Sequence, residues 1–231
     1  MIADNLSRVR TRLAQACAQA GRDAGAVTLL AVSKTFGADA VVQAYAAGQT
    51  AFGENYIQEA VDKIAALAHL PLEWHCIGPI QSNKTRLVAE HFDWVHTVER
   101  LKIAQRLSEQ RPPQLAPLQV CIQVNVDGGA TKSGVAPAEA LTLAHAVAAL
   151  PRLRLRGLMC IPEPAPDFVA ACAVFARAKA LFDAINEAGV RLDTLSMGMS
   201  NDLEAAVASG STLVRVGSAI FGARSYPATA T

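Results

Sequence analysis

Apolar and polar positions along this chain switch repeatedly between helical spacing and short, continuous apolar runs of strand length. A helix is predicted over residues 3–20, ended by Gly21, followed by the strand VTLLAVS, a helix over about 39–47 and the strand TAFG, Thr50 to Gly53. The order then recurs: helix 55–68 and strand Glu73 to Gly78, helix 82–91 and strand Asp93 to Thr97, helix 99–109 and the run LQVCIQVNV, Leu118 to Val126. Helix 137–149, opening at Pro137, precedes strand Leu153 to Ile161; helix 166–188 precedes Asp193 to Gly198; helix 201–208 precedes Ser211 to Gly217.

Eight strands alternating with helices call for a parallel α/β architecture, and Val/Ile/Leu-rich runs suit strands covered on both faces. A closed (β/α)8 TIM-type barrel with an extra N-terminal helix is the expected fold, spanning about residues 27–222. An open doubly wound sheet is the alternative, but no GxGxxG follows the first strand. The Pro/Gly-rich pieces, 111–117 and 162–166, are loop-length, so residues 1–231 are expected to form one domain with a short C-terminal tail.

Composition narrows the chemistry. With 21 basic and 20 acidic side chains spread along the chain, net charge is +1, and no basic face or tail points to nucleic acid or an anionic membrane. The N-terminus lacks the apolar core of a signal peptide and no stretch of about 18 uncharged apolar residues occurs, which places the protein in the cytoplasm. Five cysteines form no CxxC pair and read as reduced core thiols, and five histidines show no metal-ligand spacing, so no metal is expected.

In a barrel of this kind the C-terminal strand ends share one face, and here they are polar: Lys34, Gly53-Glu54-Asn55, His75 with Gly78 and the loop 81–84, Asn125, Met159, the loop 196–200, then Arg215 with Gly217-Ser218. Lys34 carries most of the signal. A buried strand that finishes on lysine suggests a desolvated amine able to condense with an aldehyde, such as that of pyridoxal phosphate. Gly217-Ser218, running into a short apolar segment, resembles a phosphate cup, and Ser200 or Asn201 is expected to cap the preceding helix. Taken singly, each loop reads more readily as a plain strand end or helix cap than as a phosphate site. Arg215, flanked by Val214 and Val216, points away from them and needs an acceptor: a carboxylate such as Glu163, or the ring nitrogen of a bound pyridine.

The set AVSKTF, FGENYIQEA, WHCIGPIQSNK, TKSG, GLMCIP, LSMGMSNDLEAAV and STLVRVGSAIFG resembles the pyridoxal phosphate homeostasis proteins, single-domain relatives of the N-terminal barrel of alanine racemase. The resemblance spans about residues 27–222 with no departure at the positions concerned. It implies pyridoxal 5'-phosphate held as a Schiff base on Lys34, Asn55 near the ring, Met197 and Ser200 along ring and phosphate, Gly217 and Ser218 at the phosphate, and Arg215 facing the pyridine nitrogen.

A two-base racemase of this class takes a tyrosine from a further C-terminal domain, whereas this chain stops at Thr231. Of its tyrosines, Tyr45 is expected on an outer helix, Tyr56 as packing and Tyr226 in an exposed tail; Lys84 and Lys132 are read as surface residues, and TKSG as a flap. The expectation is a cofactor carrier, monomer or weak dimer, that buffers pyridoxal phosphate and passes it to apo-enzymes without strong turnover. A small racemase or lyase dependent on the same cofactor is the alternative, and a phosphate-sugar aldolase a third reading.

Overall fold

The computed structural model describes residues 1–129 and 133–223. Eight parallel strands close into a barrel in chain order: β1 (Thr28–Val32), β2 (Ala51–Glu54), β3 (Glu73–Cys76), β4 (Trp94–Val98), β5 (Leu118–Gln123), β6 (Leu153–Met159), β7 (Thr194–Ser196) and β8 (Leu213–Val216). Closure comes from β8 pairing with β1, where Leu30 stands opposite Arg215. Six of the eight strands are shorter than the predicted runs, and β2 and β4 keep their length with a shift of one residue. After β5, for example, Val124 leaves the sheet to bridge Val135, and Asn125 turns to hold the backbone of Gly128 and Gly129.

Period-two alternation sorts the side chains into two layers. Leu29, Ala31, Phe52, Trp74, Val95, Ile122, Leu158, Leu195, Val214 and Val216 face outward and merge with the helices into one large core. Leu30, Val32, Ile77 and Leu213 cluster separately from that core, as do Trp94, Cys121 and Met159, and these inward groups fill the barrel.

The helices are α1 (Ile2–Gln19), α2 (Ala38–Ala46), α3 (Ile57–Ala66), α4 (Thr85–His91), α5 (Leu101–Gln110), α6 (Pro137–Ala148), α7 (Phe168–Glu187), α8 (Leu203–Ala208) and α9 (Ser218–Phe221). Helix α1 buries Leu6, Val9, Leu13, Ala16 and Cys17, the i, i+3, i+4 face of an amphipathic helix, against α2, α8 and α9. It thereby covers the seam where β8 meets β1. Among the described residues no helix is long and apolar enough to cross a membrane, and no group of three metal-ligating side chains forms.

Candidate functional site

Strand β1 ends at Val32, and the chain turns through Ser33 and Lys34 into Thr35, whose φ is +69°. A β-branched residue there costs about 1–3 kcal/mol unless its surroundings enforce it. They do: the Thr35 amide donates to Glu59 Oε1 at 2.9 Å and the Phe36 amide to the Ser33 carbonyl at 3.1 Å. The turn carries half-buried Lys34 to the wall of a cavity of about 250 Å³ at the C-terminal mouth of the barrel.

Three kinds of group line it. Val32, Phe36, Ile77, Ile161 and Met199 make apolar walls; Lys34, Asn55 and Arg215 bring nitrogen and amide groups; Ser200, Asn201, Gly217 and Ser218 form a polar rim. Asn55 Oδ1 is buried there without a hydrogen-bond partner, an arrangement proteins seldom leave unless something else supplies the donor. Asn55 is held by a close backbone approach: a Cβ on Gly78 would lie 2.2 Å from the Asn55 carbonyl oxygen.

Arg215 is 4% exposed and points inward from β8, as alternation with Val214 and Val216 requires. Its described acceptors are neutral: Nη1 donates to Ser196 Oγ at 2.6 Å and Nη2 to the Cys160 carbonyl at 2.9 Å. Burial depresses its pKa from the ordinary arginine value. A guanidinium has five N–H donors, so the cavity that Arg215 lines faces a cation with donors to spare.

The rim is built from two loops. Gly198, at φ +99°, turns the chain after β7, and a Cβ there would sit 2.5 Å from Ala206 Cβ, so only glycine fits. The next residues, Met199 and Ser200, swing over the cavity, and the Ser200 and Ser218 hydroxyls stand 3.5 Å apart. Helix α1 braces both loops: Arg12 donates to the Ser200 carbonyl at 2.7 Å and grips Glu204 with two bonds, while Asn5 Nδ2 donates to the Ile220 carbonyl at 2.8 Å.

Of the residues expected from sequence, Lys34, Asn55, Ser200, Arg215, Gly217 and Ser218 are brought together at this cavity. Met197 is not: one step beyond inward-facing Ser196, its side chain faces outward and is wholly buried in the helix-covered core, and Met199 lines the cavity instead. Neither Ser200 nor Asn201 caps α8, since the cap position is Asp202, whose carboxylate accepts from the Met199 amide. That frees the Ser200 hydroxyl for the rim.

Glu54, also expected at the mouth, follows the outward parity of Phe52 and pairs with Lys63 of α3 at 2.7 Å. His75 and Met159 lie inside the barrel below the cavity. Tyr56 is exposed at the start of α3, and Lys84 stands in a short 3-10 turn; neither lines the cavity. Lys132 and Tyr226 lie outside the described residues, as does the first half of the TKSG flap. Phe36, Ile77 and Ile161 were not singled out from sequence, because single apolar residues after strands carry no chemical signal.

Comparison with known proteins gives the same framework. Residues 4–225 match the family model described as alanine racemase, N-terminal domain. The pyridoxal phosphate homeostasis protein of Pseudomonas aeruginosa is 61% identical over 229 residues, covering 99% of this chain and 98% of that protein. Its counterpart in Escherichia coli is 54% identical, with 97% of each chain covered. Among solved structures, PipY of Synechococcus elongatus with pyridoxal phosphate (PLP) bound superposes with a TM-score of 0.83 at 38% identity, over 96% of this chain and all of PipY. An alanine racemase from Clostridium difficile shares the fold at 18% identity and a TM-score of 0.71, matching 58% of its own length. A closed barrel with an added N-terminal helix, a lysine after its first strand and an arginine on its last therefore belongs to the alanine racemase N-terminal domain family and, within it, to the pyridoxal phosphate homeostasis proteins.

Proposed function

We propose that this protein binds pyridoxal 5'-phosphate in the cavity at the barrel mouth, linked covalently through Lys34, and that it stores and delivers the cofactor without turning over a substrate. The observation that carries this reading is the convergence of the Lys34 amine, the Arg215 guanidinium and the Ser200/Ser218 hydroxyls on one small cavity. Pyridoxal phosphate supplies an aldehyde that condenses with primary amines and a ring that withdraws electrons when its nitrogen is protonated.

The residues fit such a guest. Lys34 offers the amine, Asn55 Oδ1 a buried acceptor awaiting a donor, and the Gly217-Ser218 turn with Ser200 a hydroxyl-rich rim for the phosphate. Arg215 would donate a hydrogen bond to the ring nitrogen and keep it unprotonated, since a guanidinium does not readily release its proton. The ring is then a weak electron sink, suited to being held. Among the described residues the cavity wall carries one amine and no tyrosine, histidine or carboxylate, so no second base faces the first. Recipients are apo-enzymes that use the cofactor, met transiently.

The test is titration of wild-type protein and Lys34→Ala with pyridoxal phosphate, followed by borohydride reduction and peptide mapping. Wild type should develop visible absorption and a reduced adduct on Lys34; Lys34→Ala should show neither. An equally occupied Lys34→Ala, or an adduct mapped to another lysine, refutes the covalent assignment. Incubation of the loaded protein with amino acids in heavy water should give no α-deuterium label above that of free cofactor. Rapid labelling dependent on Lys34 would replace the carrier by an enzyme.

A further inference from the structure

A chain of hydrogen bonds runs through the barrel interior from the floor of this cavity to the opposite face. Arg215 Nη1 meets Ser196 Oγ at 2.6 Å, and Ser196 Oγ meets His96 Nδ1 at 2.9 Å. His96 Nε2 meets His75 Nδ1 at 2.8 Å, and His75 Nε2 meets Glu73 Oε1 at 2.8 Å. Ser196 and His96 are wholly buried and His75 is 1% exposed, whereas the Glu73 side chain, at the start of β3, is half exposed. Four strands contribute: β3, β4, β7 and β8.

With both imidazoles neutral, as their burial favours, the two ends fix every proton between them. Arginine can only donate and an ionised carboxylate can only accept. Glu73 is kept ionised by its bond from His75, which lowers its pKa. The His75 proton must then sit on Nε2, leaving Nδ1 to accept from His96 Nε2–H. His96 Nδ1 must accept from the Ser196 hydroxyl, whose oxygen accepts from Arg215. With both imidazoles neutral, this is the one arrangement that satisfies the chain. A proton added to His75 Nδ1 would face the His96 Nε2–H, and one added to His96 Nδ1 would turn the Ser196 hydroxyl away from that ring. Burial opposes such protonation at both histidines, and Arg215 opposes it further at His96; Glu73 and Asp93 pull the other way at His75.

We propose that Ser196, His96 and His75 are positioning residues for Arg215, fixing the direction of its guanidinium and keeping any second cation away from the deep end of the cavity. This rests on the reading that Arg215 faces a pyridine nitrogen. Ser196 supplies the acceptor that draws one arm of the guanidinium down into the barrel, and the histidines keep the Ser196 hydroxyl turned so that its lone pair stays available. Trp94, stacked on His75 with ring centroids 5.2 Å apart and planes 8° apart, holds the far part of the chain in place.

The experiment has one arm without cofactor and one with it. In 15N-histidine-labelled protein free of pyridoxal phosphate, His75 and His96 should both show the neutral Nε2–H pattern between about pH 6 and pH 8, a range where a free histidine titrates. In Ser196→Ala the His96 Nδ1 resonance should move. After loading, Ser196→Ala should shift the visible absorption maximum and weaken cofactor retention by about ten-fold, the worth of one hydrogen bond to a charged group, and Ser196→Thr should restore both. His96→Asn, which keeps an acceptor for Ser196, should stay nearer wild type than His96→Leu. A ring carrying its proton on Nδ1 in wild type, or a Ser196→Ala protein with wild-type spectrum and retention, overturns the proposal. Failure of wild type to bind pyridoxal phosphate would instead refute the proposed function, with the histidine resonances still readable.

Discussion

Replacing Lys63 by methionine tests how the two strand ends beside the cavity are held. Lys63 is 5% exposed, and its Nζ lies 2.7 Å from Glu54 Oε1, 3.1 Å from the Ser33 carbonyl and 3.2 Å from Glu59 Oε1. Glu54 is wholly buried; its Oε1 also accepts from Ser33 Oγ, and its Oε2 has no partner. Burial raises the Glu54 pKa above the ordinary carboxylate value, with Lys63 and Ser33 pulling it back only in part. Methionine keeps the length of the side chain and removes the charge, so the carboxylate is left with Ser33 alone. Breaking one side of a buried pair costs roughly 3–5 kcal/mol while the survivor stays ionised. The sign of the pH dependence follows from the direction of the shift. A carboxyl whose folded pKa lies above its unfolded value, about 4.3, penalises the fold fully above the folded pKa, and the penalty fades as pH falls towards the unfolded one. Each unit is worth about 1.4 kcal/mol, so lowering pH from 8 to 5 can recover up to about 4 kcal/mol of what Lys63→Met loses. Urea unfolding of cofactor-free protein, followed by the fluorescence of buried Trp74 and Trp94, reads the difference from wild type at both pH values. A penalty that is equal at the two, or larger at pH 5, refutes the reasoning. In a Glu54→Gln background, with Glu54→Gln as the reference, Lys63→Met should show no such pH dependence.

Gly78→Ala should lower stability by about 1–3 kcal/mol and weaken pyridoxal phosphate binding, because the new Cβ would meet the Asn55 backbone at 2.2–2.8 Å; unchanged affinity in a titration would detach Asn55 from the site. Burial pushes the thiols of Cys76, Cys121 and Cys160 up to about 12, so iodoacetamide at pH 8 should leave them unmodified in the folded protein. Cys172, partly exposed on α7, is the thiol expected to react. Fast alkylation of Cys160 by mass spectrometry would show that the strand bearing an Arg215 acceptor opens to solvent.

The barrel was legible because short segments of strand length, built around apolar positions, alternate with periodic helical ones, so order and number followed even where ends slipped by one to three residues. Lys34 and Arg215 were legible for a related reason: a charge inside or just beyond an apolar strand has few places to go, and for Arg215 alternation settles which face it takes. Met197, implied by the resemblance and not by alternation, is where the two part. Parity carried outward from Ser196 places Met197 in the core, and the positive φ of Gly198 then reverses the chain so that Met199 reaches the cavity. Lys63 was not singled out, since its burial depends on Glu54 pointing out from a strand nine residues earlier. The histidine chain left no local trace at all. His75 stands in register opposite Trp94, so its contact with His96 depends on the stagger of β3 against β4, and Ser196 joins from 100 residues further on.

The N-terminal helix is where fold and site meet most closely. By pattern it is an addition in front of a complete barrel, covering a seam. Its polar face does more than that: Arg12 fixes the carbonyl of Ser200 and the carboxylate of Glu204, and Asn5 fixes the carbonyl of Ile220, so one rigid element ties the loops after β7 and β8 together. Those loops carry Ser200 and Ser218, the hydroxyls that would receive a phosphate. Neither hydroxyl is anchored by a helix cap of its own, and α9 is only four residues long, so their spacing depends on what braces the loops from outside. A barrel of this size could close without α1, but its rim would then lack the contacts that set the distance between its two halves, and a rim that must both hold and release a cofactor needs that distance defined.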